Sequence, residues 1–139
     1  MSQTSASQLV TAGEPAGRTL AVAAADAVAV LVFAAVGRAS HDESSPVLGV
    51  LSTAWPFLAG AAAGWAVAVA VGHETPRTVR RGIPVWVGAV AGGMLLRAAT
   101  GRGTALSFVI VATVVLAVLL LGWRAVDSAV VRRHARTAG

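Results

Sequence analysis

The residue in this chain whose type and place most suggest chemistry is Asp26. It lies seven residues into an apolar run from Thr19 to Val36, about 10 Å from that end if the run is helical. A carboxylate in hydrocarbon is costly and marks a candidate functional site. It can relay a proton or bind a cation. It can equally be a carboxyl kept neutral, or hydrogen-bonded to a neighbouring helix as structural glue. A second group gathers near the opposite end of that run. Arg38, His41, Asp42 and Glu43 share a polar loop over residues 37–46, and Arg97 and Arg102 fall toward the same face. His, Asp and Glu can ligate metal, but neighbours in sequence seldom converge on one ion and no second His is available there. The expected role of this cluster is contact with lipid headgroups or a partner. Arg97 is too shallow to reach Asp26, with roughly 10 Å between them along the membrane normal. A third group, Arg124, Arg132, Arg133 and Arg136, forms a basic tail, expected to hold anionic lipid at about 1 kcal/mol for each Arg near the surface.

Other chemistries lack their residues. Cysteine is absent, which removes thiolate nucleophiles, disulfides and Cys-ligated metals. His41, His73 and His134 lie outside the apolar runs, so a bis-His haem site is disfavoured. No Gly-rich phosphate loop and no Ser-His-Asp spacing occurs. The expectation is a protein that is not an enzyme and takes no metal and no cofactor.

The elements that must position these residues follow from composition. The chain has 139 residues, 56% hydrophobic and 12% charged, against about 25% charged in soluble domains. That excludes a disordered chain, a coiled coil and a disulfide scaffold. The net charge of +5 does not point to nucleic acid, because the Arg residues sit at the ends of apolar runs and form no continuous stripe. Residues 1–18 read as a disordered tail. Four helices are expected at about 19–36, 47–72, 83–99 and 105–123, followed by a basic tail over 124–139. Signal-peptide cleavage after Ala34 is disfavoured by the long polar lead, the single Arg18 and the buried Asp26. The second run exceeds a hydrocarbon core of about 30 Å, so it should tilt, or bend at Pro56. The third is the weakest, and is taken as a span with Arg97 snorkelling from its end.

Arginine placement supports that count. With four spans, the N-terminal tail, the 73–82 loop and the C-terminal tail share one side and carry 1, 3 and 4 Arg, whereas the other side carries Arg38, Arg97 and Arg102. The bias places both termini in the cytoplasm. Small-xxx-small patterns, Gly60 to Gly64 on the second helix and Gly88 to Gly92 with Gly93 on the third, predict a close hairpin between those helices. Trp65, Trp86 and Trp123 fall toward the cytoplasmic ends and are expected in an interfacial belt.

Three strings carry a resemblance. They are Phe33-Ala-Ala-Val-Gly-Arg-Ala-Ser-His41, Thr53-Ala-Trp-Pro-Phe-Leu-Ala-Gly60 and Gly92-Gly-Met-Leu-Leu-Arg-Ala-Ala-Thr-Gly101, the last continued by Thr104-Ala-Leu-Ser-Phe-Val109. Together they resemble the membrane-protein family called domain of unknown function 3054, over roughly residues 20–124. The resemblance implies a small polytopic protein and transfers no functional residues. The resulting expectation is an all-α, integral membrane four-helix bundle, multi-pass in the cell membrane. It would be a non-enzymatic module packing with itself as a homo-oligomer or with a larger membrane complex, in contact with anionic lipids. The alternative is a small proton-coupled transporter, a homodimer working through Asp26.

Overall fold

The computed structural model describes residues 16–39 and 46–137. The expected N-terminal tail, apart from its last residues, and the His41, Asp42 and Glu43 part of the loop cluster lie outside the described residues. What is described is helical, with no strand. Helix α1 spans Ala16–Ala39, α2 spans Pro46–Gly72 and α3 spans Val79–Val87. A π-helical turn, Gly88–Gly92, joins α3 to α4, Gly93–Ala99, and α5 spans Leu106–Thr137. Counting Val79–Ala99 as one rod, four stretches, Ala16–Ala39, Val47–Gly72, Val79–Ala99 and Leu106–Thr137, are long and apolar enough to cross a membrane.

Helix α1 extends three residues beyond the expected 19–36 at each end, so the last three residues of the expected disordered tail are helical. Two further boundaries differ for physical reasons. The third span begins at Val79 because Thr78, in an extended conformation, caps it by accepting a bond from the Arg81 N–H. Its 21 residues reach about 32 Å as a helix, enough for a bilayer core. The last helix does not stop at Trp123. It runs to Thr137, because residues 124–137 contain neither Gly nor Pro to end it. The basic segment is therefore a helical extension of α5.

The second and third spans meet backbone to backbone. A Cβ on Gly60 would strike the Gly88 carbonyl oxygen and lie 2.9 Å from the Gly93 nitrogen. One on Gly64 would strike the Pro84 carbonyl oxygen, and one on Gly92 would come 2.9 Å from the Cα of Gly60. Lipid tails are as apolar as Leu, so burial alone does not bring helices together in a bilayer, and close contact of this kind does. The π turn lies in the middle of the contact. Gly93 serves the same contact, with its nitrogen against Gly60, and its missing Cβ also leaves room for the Phe57 ring.

The core divides into two levels. Toward the 100–105 turn, all three phenylalanines of the chain pack together, with Phe33 and Phe57 edge to face at 5.1 Å and Phe108 about 6 Å from each. The other level, nearer the two termini, is polar. The outer faces are apolar, with Val28, Val67, Ile110, Val114 and Val118 all exposed.

The glycine contact can be tested. Gly88→Val should lower the stability of the purified protein in detergent micelles by about 1–3 kcal/mol or more, the cost of overpacking a tight contact. Gly122→Ala, where an added Cβ meets nothing within 4 Å, should be neutral or slightly stabilising. Thermal unfolding followed by circular dichroism measures both.

Candidate functional site

Asp26 is 3% exposed and Arg124 is fully buried, and the two form an ion pair. Arg124 Nη1 donates to Asp26 Oδ1 at 2.6 Å and Nη2 donates to Oδ2 at 2.7 Å. Two indoles complete the shell. Trp65 Nε1 donates to Oδ2 at 2.8 Å and Trp123 Nε1 to Oδ1 at 3.0 Å. Each carboxylate oxygen thus receives two N–H groups, the full acceptor pattern of an ionised carboxylate. Arg124 spends its other donors on backbone. Its Nε reaches the Pro76 carbonyl at 2.8 Å, and Nη1 also reaches the Leu120 carbonyl at 2.6 Å. Its guanidinium carbon lies 4.6 Å from the centre of the Trp123 ring.

Every element near the two termini contributes. Asp26 comes from α1, Trp65 from α2, Pro76 from the connector before α3, and Trp123 and Arg124 from α5. Helix α3 contributes an absence. A Cβ on Gly82 would lie 2.6 Å from both Cδ and Nε of Arg124, so glycine there makes room for the side chain.

This corrects the sequence reading of Arg124, which assigned it to anionic lipid on the assumption that the last helix ended at Trp123. Depth explains why it turns inward. Asp26 lies about 20 Å from the Ala39 end of α1, and Arg124 about 27 Å from the Leu106 end of α5, which is the same end of the bundle. Helical side chains lean toward the helix N-terminus. Arg124 therefore points back into the bundle and closes the gap of about 7 Å. The same depth arithmetic excludes Arg97, and the structure agrees. The one signal for Arg124 in the sequence was its depth, measured from the opposite end. The tryptophans are also corrected. The N–H groups of Trp65 and Trp123 serve Asp26, and Trp86 donates to the Thr113 carbonyl at 3.0 Å. All three are half-buried and point their polar edges inward.

The arginines at the other end have local tasks. Pro56 has no N–H, so within α2 the Ser52 carbonyl has no helical donor. Arg102 Nη1 donates to that carbonyl. Arg97 Nη2 donates to the Gly103 carbonyl at 3.0 Å, and its guanidinium carbon lies 4.4 Å from the centre of the Phe108 ring. Gly49 leaves space for the Arg38 guanidinium. Arg97 and Arg102 thereby hold the turn, with Arg97 Nε buried and without a hydrogen-bond partner among the described residues, and no metal-ligating group of three occurs among the described residues. Arg132, Arg133 and Arg136 are exposed along the α5 extension.

The buried pair predicts coupled effects. Asp26→Asn and Arg124→Gln should each destabilise by about 3–5 kcal/mol, because each leaves the other group buried and unpaired. The double variant should lose less than the sum, and Arg124→Lys should not restore stability, since an ammonium lacks the two-pronged fork. Thermal unfolding of the native protein and the four variants in one detergent decides this. At the other end, Arg102→Ala should cost about 1–3 kcal/mol by orphaning the Ser52 carbonyl. It should cost clearly less when Pro56→Ala restores the helical donor.

A family model described as protein of unknown function (DUF3054) matches residues 23–127. The chain belongs to that family. No curated protein and no solved structure matches it.

Proposed function

We propose that this member of a family of unknown function is a non-enzymatic module of the cell membrane, packing with itself or with a larger membrane complex. The observation that supports it is the saturation of Asp26. The intramembrane carboxylate accepts four N–H groups and faces a fully buried guanidinium. A proton relay needs an open acceptor, and an oxygen that already receives two N–H groups is not one. What the bundle presents outward is apolar side chain, suited to lipid or to another membrane helix. Both termini are assigned to the cytoplasm. With Arg124 withdrawn into the core, the terminal end still carries seven arginines against three at the other end, and the positive-inside rule keeps its direction.

One observation favours the rival transporter. A groove of about 270 Å³ runs between α1 and α2, lined by Ala23, Ala27, Leu58 and Ala62 with Asp26 and Trp65 at its wall. Transport through that groove requires Asp26 to exchange a proton with it.

Crosslinking in intact membranes followed by mass spectrometry tests the module. Reproducible crosslinks to a second copy or to one defined membrane protein are expected, and a chain recovered only as an uncrosslinked monomer overturns the reading. Asp26→Asn, reconstituted in vesicles with a pH-sensitive dye inside, separates the rival. The module predicts reduced stability and no proton flux in either protein. Substrate-driven flux in the native chain, abolished in a folded Asp26→Asn, would establish transport instead. For topology, a C-terminal green fluorescent protein fusion should fluoresce and a C-terminal alkaline phosphatase fusion should be inactive.

A further inference from the structure

At the end of the bundle that carries both termini, a cleft of about 510 Å³ opens between the first turn of α1, the connector before α3 and the extension of α5. Small-molecule sites span roughly 300–1,000 Å³. Guanidinium groups line it from three separate elements, Arg18 on α1, Arg77 on the connector and Arg132 on α5. Its carboxylate, Asp127, is engaged by Arg77 at both oxygens, with Nε to Oδ2 at 2.9 Å and Nη2 to Oδ1 at 3.3 Å. The charge of Asp127 is thus matched within the wall. Arg18 and Arg132 are exposed and have no ion pair among the described residues, and Arg132 Nε donates to the Ser128 carbonyl of its own helix at 3.2 Å, which leaves its two Nη groups for a ligand. They give the cleft two unmatched positive charges. The hydroxyls of Thr78 and Ser128 add neutral donors, and Val131 adds an apolar edge.

The depth of the cleft narrows what it meets. Twenty residues of α5 counted from Leu106 use up a hydrocarbon core of about 30 Å near Ala125. Asp127, Ser128 and Arg132 follow directly, at the level of the headgroups. The remaining guanidinium N–H groups of Arg18 and Arg132, with two hydroxyls beside them at that level, suit a phosphate group, whose oxygens accept several N–H and O–H bonds at once.

From these features we infer that the cleft is a binding site for a phosphate-bearing anion, carried by a phospholipid headgroup or free in solution. The site adds a defined cleft to the diffuse lipid contact expected of Arg133 and Arg136, and it does not depend on whether the module has a protein partner. The test uses the full chain in detergent micelles, with native mass spectrometry reading bound ligand. The probes are dioleoylphosphatidylglycerol, dioleoylphosphatidic acid, dioleoylphosphatidylcholine and inorganic phosphate. One double variant, Arg18→Gln with Arg132→Gln, empties the cleft of its unmatched charge. A second, Arg80→Gln with Arg133→Gln, removes equal charge outside it. Circular dichroism checks that both remain helical. At least one of the two anionic lipids or inorganic phosphate should bind the native chain at least tenfold tighter than phosphatidylcholine. The first variant should lose about tenfold, and the second should stay within twofold. Saturable binding of inorganic phosphate with the same variant pattern assigns the site to a free anion, and binding of lipid alone assigns it to the headgroup. Equal losses in the two variants, or no preference over phosphatidylcholine, overturn the inference. Equal losses would leave only diffuse attraction to the tail.

Discussion

A carboxylate and a guanidinium in a medium without water must satisfy each other, and their spare donors and acceptors must find partners nearby. Asp26 and Arg124 meet that requirement with four N–H bonds to the carboxylate and two backbone carbonyls for the arginine. The partners come from α1, α2, α5 and the connector before α3, so the requirement is also a constraint on how those elements are arranged. A rotation of α1 by one residue would turn Asp26 about 100° away from its donors. In lipid, where apolar packing hardly distinguishes one helix face from another, such a pair selects a single arrangement. The glycine contact between α2 and the third span works beside it. It sets how near two backbones come, and Gly82 on the same span leaves the volume that Arg124 occupies.

The two ends of the bundle satisfy different kinds of group. Near the termini the groups to be satisfied are side-chain charges, and they are matched with each other. Toward the 100–105 turn the group is a backbone carbonyl, Ser52, deprived of its donor by Pro56 four residues later. Arg102 crosses from the turn to supply the missing bond. Arg97 holds the turn by its bond to Gly103 and its place over Phe108. Proline inside α2 and arginine in the turn are therefore one device, and the helix remains continuous across Pro56.

Much of the fold is legible in the order of residues. Four spans, their order and the α2 contact with the third span followed from apolar run lengths, arginine placement and the Gly60, Gly64, Gly88 and Gly92 pattern. Gly93 was also recognised as a packing residue, although its packing partner on α2 includes the Phe57 ring. Of the candidate site, Asp26 was legible, and its remoteness from Arg97 followed from helical rise. Its true partners were not, because Arg124 looked like the first residue of a tail and Trp65 and Trp123 looked like interfacial anchors. An arginine at the edge of an apolar run has the same local signature whether it turns outward to a phosphate or inward to a carboxylate.

The division follows from the range of the forces involved. Solvent preference and backbone reach act locally, so apolar runs, helix lengths and close-approach glycines are set by the order of residues along the chain. Pairing across 98 positions, as between Asp26 and Arg124, depends on which helix faces are turned toward each other and at what depth. Only the packed bundle decides that, because the energy of a buried charge is determined by groups distant in the chain and adjacent in space.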